Sequence, residues 1–488
     1  MALPAVRDRR VVLITGAAAG IGLATAHAFA AKGHVVALTD RDADAVFTAA
    51  QSLGDPHAGF EMNVTDDAAV TQVFDEVLAR FGRIDVLVNN AAIIDAAAQS
   101  LFDIPTATIR ELLSVNVEGA YRVARVAAAA MIARDGGAIV NLSSGAALIG
   151  SANRAAYATS KAAIIGLTRA LAREFAGADV RVNAVLPGYV ATEMLQSVRR
   201  GEATDLARVL SKVPLGRLGE PAEIAAAVLH LAESRSINGA LLVVDGGTTV
   251  HGGAGVASVA PAPIRVAGPG RVVVVMGGAS RIGTALADRF VAGGDCVAII
   301  DRDAAAIAGR CADRLCLTAD CLDEAALRQA FTGVAKHLGP VAVLVNTIEP
   351  YAPSRRVAER PPTDFASDIE CGLLGTMLSS RLVASEMLRY GGGAIVNVLA
   401  GVERHDATQA CIESGVLSLT RNLACEWAGG GVRVNMVSSA SLRGANESES
   451  NGLDGLAATV AFLASSDASY ITGADLACEG VAAGETIA

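Results

Sequence analysis

Residues Arg9 to Ala45 read RRVVLITGAAAGIGLATAHAFAAKGHVVALTDRDADA, and Gly270 to Ala306 read GRVVVVMGGASRIGTALADRFVAGGDCVAIIDRDAAA. Each stretch opens on a β-branched run, turns on glycines, continues through an Ala-rich helical segment and closes on a second apolar run ending in Asp. The likeness extends along the chain. GGAIVNLSSG from Gly136 returns as GGAIVNVLAG from Gly392, and INGALLVVDGG from Ile237 returns as ITGADLACEGV from Ile471. A repeat at this scale decides the organisation before any single motif does. It predicts a domain at 1–250, a Gly/Ala/Pro-rich linker at 251–269 and a second copy at 270–488. Strand-like runs alternate with helical segments in both copies. The expected fold class is therefore α/β, two tandem Rossmann-like domains with doubly wound parallel sheets.

Composition agrees. At about 150 residues per domain, the 488 residues allow two or three domains, and the repeat selects two. With 52% hydrophobic and 18% charged residues, the chain is not disordered. A net charge of −10 argues against sequence-independent nucleic-acid binding, which needs a basic face. No secretory signal or membrane-spanning run is visible, and a cytoplasmic location is expected. All eight cysteines follow residue 295, without a CxxC. Neither a disulfide framework nor a metal site is expected.

In the first copy, Gly16, Ala18, Gly20, Ile21 and Gly22 occupy the strand-to-helix turn. There the backbone can approach a pyrophosphate at a helix N-terminus. Asp40 ends the next strand, where a carboxylate accepts hydrogen bonds from ribose hydroxyls and repels a 2′-phosphate. NAD is the expected cofactor. Arg41 is the opposing feature, since a guanidinium beside Asp40 could pair with such a phosphate.

TGAAAGIG, the VNNAA segment at 88–92, Asn116, Ser144, and Tyr157 followed by Lys161 together resemble the classical short-chain dehydrogenase/reductase family over residues 8–250. The resemblance implies metal-free hydride transfer between an alcohol or carbonyl and a nicotinamide cofactor. Tyr157 and Lys161, four apart on a helix, share a face. A nearby ammonium would favour the phenolate and bring Tyr157 into range as general acid/base. Ser144, at the carboxyl edge of its strand, would hydrogen-bond the substrate oxygen. By resemblance, Lys161 also holds the nicotinamide ribose and Asn116 holds a water in a proton relay. Asn63 and Val64 would lie beside the adenine. Asn89, Asn90, Ala91, Pro187, Gly188, Val190 and Thr192 would extend the cofactor wall. Ile94, Ala146, Asn153, Tyr189 and Met194 are candidate pocket residues.

The second copy keeps Asp301 for Asp40, Asp320 for Asn63 and Asn346 for Asn89. It has Gly372 for Asn116, Ala400 for Ser144, Gln409 for Tyr157 and Glu413 for Lys161. Arg281 replaces the middle glycine, and Glu349 stands where the family has small residues. This copy is expected to be catalytically degenerate and structural. The family pairs subunits through two long helices, here 106–134 and 154–175. Their counterparts, about 363–389 and 408–427, would pair with them inside one chain. A homodimer would then resemble a tetramer of single domains. Two alternatives remain open: an NADPH-linked 3-oxoacyl-thioester reductase, suggested by GRLGEPAEIAAAVLHLAE from Gly216, and a nucleotide-binding scaffold without turnover.

Overall fold

A computed structural model describes residues 9–95, 99–134, 136–192, 209–213, 215–249, 270–309, 311–348, 356–357, 359–400, 406–439, 447–469 and 471–477. The proposed linker at 251–269, Met194 and Glu349 lie outside the described residues.

The β-branched run after Arg10 forms strand β1 (Val11–Thr15), with every side chain buried. A strand covered on both faces needs an unbroken apolar run, which is why its sequence does not alternate. The first helix, α1 (Gly20–Ala31), leads to β2 (Val35–Asp40), which pairs parallel to β1 with Thr15 opposite Thr39. The first sheet continues with β3 (Ala58–Glu61), β4 (Val86–Asn89), β5 (Gly137–Leu142), β6 (Val180–Pro187) and β7 (Leu241–Val244). Its spatial order is β3-β2-β1-β4-β5-β6-β7, every pairing parallel. The order reverses between β1 and β4, the point at which doubly wound sheets form their ligand crevice.

The second sheet repeats this plan with β8 (Val272–Met276), β9 (Cys296–Asp301), β10 (Leu315–Thr318), β11 (Val341–Ile348), β12 (Gly393–Ala400), β13 (Val432–Ser439) and β14 (Asp475–Ala477). Its order is β10-β9-β8-β11-β12-β13-β14, also parallel throughout. Two seven-stranded Rossmann-like sheets thus stand in tandem.

The remaining helices of the first copy are α2 (Ala43–Leu53), α3 (Asp67–Phe81), α4 (Thr106–Leu113), α5 (Ala120–Ile132), α6 (Ala155–Phe175) and α7 (Pro221–Glu233). In the second they are α8 (Arg281–Ala292), α9 (Ala304–Ala308), α10 (Glu324–Leu338), α11 (Pro362–Ile369), α12 (Gly375–Arg389), α13 (Ala407–Trp427) and α14 (Glu447–Leu463). The sequence suggests one unbroken helix over 106–134. A π-turn at Ser114–Gly119 instead divides it, and Glu370–Leu374 forms the equivalent turn between α11 and α12.

The two copies share a hydrophobic core. Helices α6 and α13 pack so closely that a Cβ on Gly166 would lie 1.8 Å from the Ala410 carbonyl oxygen. Tyr121 of α5 stacks on Phe365 of α11 with ring centroids 3.8 Å apart, and its hydroxyl donates to the carbonyls of Val357 and Arg360. Phe102 stacks on Trp427 at 5.3 Å. Arg110 pairs with Glu370 at 2.5 Å, and Arg381 donates to the Ile104 carbonyl at 2.9 Å. The expected internal pairing is thus built from apolar helix faces and polar ties between them.

One expectation is corrected. Cys311 and Cys316 form a disulfide. The turn entering β10 brings their Cα atoms to 5.7 Å, within bridging range, and a spacing of five does not reveal such a turn. Among the described residues no helix is long and apolar enough to cross a membrane.

Candidate active site at the carboxyl edge of the first sheet

The glycine-rich turn joins β1 to α1. A Cβ on Gly22 would sit 2.1 Å from the Gly16 carbonyl oxygen, so only glycine lets the helix pack onto its own turn. Gly20 has φ +57°, and its missing side chain would point at Thr192, whose methyl lies 3.6 Å from that position. The turn and the Val190–Thr192 segment therefore face each other. Ala19, the residue capping α1, provides no side-chain hydrogen bond. Ala18 and Ile21 pack partly into the apolar layer beneath the turn.

Asp40, at the end of β2, is half-buried. One carboxylate oxygen accepts from the Ala18 backbone N–H at 3.2 Å and the other from the Asp42 N–H at 3.2 Å. The carboxylate thus stands beside the glycine turn, and Arg41 is exposed next to it. Asn63 spends its amide oxygen on Thr65, at 3.1 Å to the N–H and 2.9 Å to the hydroxyl. Val64 is buried against Gly119, whose added Cβ would meet its methyl at 2.6 Å.

Three wall residues turn out to hold the protein together. Asn90 donates to the carbonyls of Thr15 at 2.9 Å and Gly16 at 2.8 Å, while the N–H groups of Asn90 and Ala91 reach the Thr15 hydroxyl. Asn89 faces inward and donates to Asn141, which donates to Thr168. The second copy repeats that chain as Asn346, Asn397 and Thr420. A device present in both copies ties adjacent strands to a helix whatever the chemistry above them. Pro187 ends β6, and Gly188 passes so close to Asp245 that a Cβ would fall 2.6 Å from its side chain.

The catalytic candidates converge. Ser144 follows β5, and its hydroxyl accepts from the Ala146 N–H at 3.2 Å. Ser144 bears on the Tyr157 phenol, which lies in the first turn of α6. Burial pushes Tyr157 above the usual phenol range, while Ser144 and the Arg154 guanidinium pull it back. Lys161, one turn further along, is buried; its ammonium donates to the Leu142 carbonyl at 3.0 Å and burial pushes it down to about 8. The Arg154 guanidinium also acts on the phenol, and spacing did not single it out.

Asn116 sits inside the π-turn, a helix irregularity common at functional sites. Its amide accepts from the Ile93 N–H at 2.8 Å and donates to the Ile93 carbonyl and the Ser160 hydroxyl, both at 3.0 Å. Both ends of the side chain are engaged, so the residue anchors the segment after β4 against α6.

That segment carries a residue missed from sequence. Asp95 is 6% exposed, and one of its carboxylate oxygens has no hydrogen-bond partner among the described residues. Burial pushes its carboxyl up to about 6, with Arg154 opposing, and its charge bears on Tyr157. A lone Asp after VNNAAII gives no local signal, because its burial comes from packing. Of the candidate pocket residues, Tyr189 shares the influence of Arg154, and burial raises its phenol. Asn153 adopts φ +60° just before α6.

Glu426 of the second copy reaches this neighbourhood. It accepts from the Ser100 hydroxyl at 2.5 Å, the Leu101 N–H at 3.2 Å and the Asn153 N–H at 3.2 Å. Asn422 accepts from the Ser151 N–H at 3.0 Å.

Two family models match the chain. The model described as Enoyl-(Acyl carrier protein) reductase covers residues 16–249, and the one described as short chain dehydrogenase covers residues 271–451. The chain belongs to the short-chain dehydrogenase/reductase family. It does so with two tandem copies of the family's domain. Galactitol 2-dehydrogenase (L-tagatose-forming) of Cereibacter sphaeroides is 45% identical over 251 residues, covering 50% of this chain and 96% of that protein. The 3-oxoacyl-[acyl-carrier-protein] reductase of Thermotoga maritima is 38% identical over 248 residues, 50% of this chain and 99% of that protein. An uncharacterized short-chain type dehydrogenase/reductase of Sinorhizobium fredii is 42% identical over 244 residues, and this match spans 44% of that relative's length. The crystal structure of the N-domain of bacterial malonyl-CoA reductase with NADP superimposes with a TM-score of 0.80 at 22% identity, covering 98% of this chain and 100% of that one. The likeness at that identity is one of fold, and it spans both copies of this short-chain dehydrogenase/reductase.

Proposed function

We propose that this oxidoreductase interconverts a secondary alcohol and a carbonyl with NAD(H), using Tyr157 as general acid/base, within a catalytic domain at 1–250. The copy at 270–488, beyond a linker at 251–269, is the degenerate scaffold of this active site. The observation that carries the reading is the grouping of Ser144 at the end of β5 with Tyr157 and, one turn along the same helix, Lys161, whose ammonium donates to the Leu142 carbonyl.

The residues fit a dinucleotide. The α1 N-terminus has no side-chain cap and opens onto a turn with no Cβ at Gly16, Gly20 or Gly22, so its N–H groups and positive dipole end are suited to a pyrophosphate. Ala18, Ile21, Asn90, Ala91, Pro187, Gly188, Val190 and Thr192 complete the cradle. Asn63 and Val64 border its adenine end. A nicotinamide ring held there supplies or accepts the hydride. The chain's own groups handle the proton and the charge. Tyr157 gives its proton to the substrate oxygen in reduction and takes it back in oxidation. The Ser144 hydroxyl hydrogen-bonds that oxygen as its charge develops. Lys161 holds the ribose side, and Asn116 keeps the segment after β4 in register with α6.

Asp40 supports NAD(H), because its carboxylate stands where a 2′-phosphate would need room and positive charge. Arg41 is the observation that favours NADP(H) and, with it, the 3-oxoacyl-thioester alternative. Initial rates with NADH and NADPH at matched concentrations separate the two, and a preference for NADPH overturns the first. Asp95 supports a polyhydroxylated substrate, since its unpartnered oxygen can accept from a second hydroxyl while Tyr157 serves the reacting one. An alditol panel read as NADH absorbance tests this. Rates no better than those with a monohydric cyclic alcohol count against it. Complete absence of turnover alongside tight dinucleotide binding would favour a scaffold. A homodimer completes the proposal, and light scattering measures it.

A further inference from the structure

The second copy carries a cleft above the carboxyl edge of its sheet. Its wall includes Asp301, Arg302, Cys321, Asn346 and Cys371. The two thiols arrive from different directions. Cys321 follows β10, and Cys371 lies in the π-turn between α11 and α12. Gly375, one turn beyond Cys371, approaches so closely that a Cβ there would stand 2.9 Å from the Cys321 sulfur. Residues one turn apart share a helix face, so Cys371 faces the same sulfur, and each thiol bears on the ionisation of the other. Both are partly exposed. The corresponding residues of the first copy, Val64 and Val115, offer no such chemistry, although the close approach of Gly119 to Val64 repeats the geometry.

We propose that Cys321 and Cys371 form a peroxide-oxidisable dithiol site, closing reversibly into a disulfide across the cleft of the second copy. The charge of Arg302 favours a thiolate at either sulfur, and the interaction between the two thiols draws Cys371 down and pushes Cys321 up. Cys371 is therefore the attacking sulfur, since the thiolate is the nucleophile. Its thiolate attacks one oxygen of hydrogen peroxide, the O–O bond breaks, and the departing hydroxide takes up a proton to become water. The resulting Cys371 sulfenic acid is attacked by the Cys321 sulfur. The S–O bond breaks, the S–S bond forms, and the leaving hydroxide carries off the Cys321 proton as a second water. Both sulfurs are oxidised and the peroxide is reduced. A thiol reductant restores the pair by exchange. The bond would link the connector after β10 to the π-turn, narrowing the cleft where Asp301 and Arg302 line it.

Two of the other described free cysteines, Cys411 and Cys425, provide the contrast. Cys411 is buried, with its thiol raised well above the usual range, and burial also raises Cys425. The test uses the full-length chain, reduced, desalted, treated with hydrogen peroxide, alkylated and mapped by mass spectrometry. The expected result is a cross-linked peptide pair joining Cys321 to Cys371, lost on reduction. Cys321→Val, which installs the first copy's residue, should leave a Cys371 sulfenic acid that dimedone traps. The inference is overturned if both thiols stay alkylatable after peroxide, or if cross-links involving either scatter among the other cysteines. It is also overturned if dimedone labels Cys371 no faster than Cys425 in the variant.

Discussion

The two glycine turns differ at a few positions with large consequences. In the first, GAAAGIG opens α1 with Ala19 as cap, which makes no side-chain hydrogen bond to the helix end. In the second, GGASRIG opens α8 with Ser280, whose hydroxyl accepts from the Gly283 N–H at 2.9 Å, followed at once by Arg281. A helix N-terminus has spare N–H groups. The first copy leaves them without a side-chain cap, while the second satisfies one with its own cap. Elsewhere the turns agree. Asp40 receives the Ala18 N–H and Asp301 the Ala279 N–H at 2.9 Å. Gly22 and Gly283 each press against the carbonyl of the turn's first glycine. Features that hold the turn together survive in both copies, and those suited to a ligand survive in one. The π-turns teach the same lesson, since Gly372 replaces Asn116 and the turn remains.

The comparison breaks most readily at the catalytic helix. Tyr157→Phe is expected to lower kcat by about 10²–10⁴-fold, with dinucleotide binding preserved in a fluorescence titration. Gln409→Glu, at the matching place in the second copy, is expected to leave kcat within a factor of about two. Equal losses from both changes would refute the division of labour.

Next in size is Asp95. Burial pushes its carboxyl up to about 6, above the ordinary aspartate value of 3.8, so the folded state disfavours its charged form. Below pH 4 the group is protonated folded or unfolded and carries no penalty. As pH rises from 4 through 6 the penalty develops, and above 6 it is complete. Asp95→Asn should therefore raise stability at pH 7 by up to about 3 kcal/mol and change nothing at pH 3.5, as read by urea denaturation. The same variant should raise KM for a polyhydroxylated substrate.

Glu426→Ala tests whether the second copy supports the first. It removes one acceptor from Ser100, Leu101 and Asn153. A cost of about 1–3 kcal/mol is expected, with KM rising more than kcat falls in steady-state kinetics. The smallest effect belongs to the caps. Ser280→Ala should cost about 1 kcal/mol in chemical denaturation. Ala19→Ser, which gives the first helix the cap of the second, should weaken dinucleotide binding several-fold in calorimetry.

Much of the fold was legible because parallel strands buried on both faces must be nearly continuous apolar runs. VVLIT, VVALTD and VLVN announce themselves without context, and their repetition reveals the second sheet. Ser144, Tyr157 and Lys161 were singled out by resemblance to the family, and helix periodicity added that Tyr157 and Lys161 share a face. Asn89 and Asn90 were read as cofactor wall, and the structure adds that their side chains brace strands and the turn. An amide looks the same in sequence whether it meets a ligand or a carbonyl. The Cys311–Cys316 bond was missed because bridging depends on the path of a turn.

By itself, then, the sequence determined two copies of one doubly wound fold, with the Asn116, Ser144, Tyr157 and Lys161 set present in the first alone. Those follow from local periodicity and from residue identity. Tertiary structure decided what arises between distant segments: Asp95 buried beside Arg154 and Tyr157, Glu426 bracing loops of the other copy, and Cys321 meeting Cys371. Burial and proximity set pKa, reactivity and support, and each depends on chain segments that the local sequence does not specify.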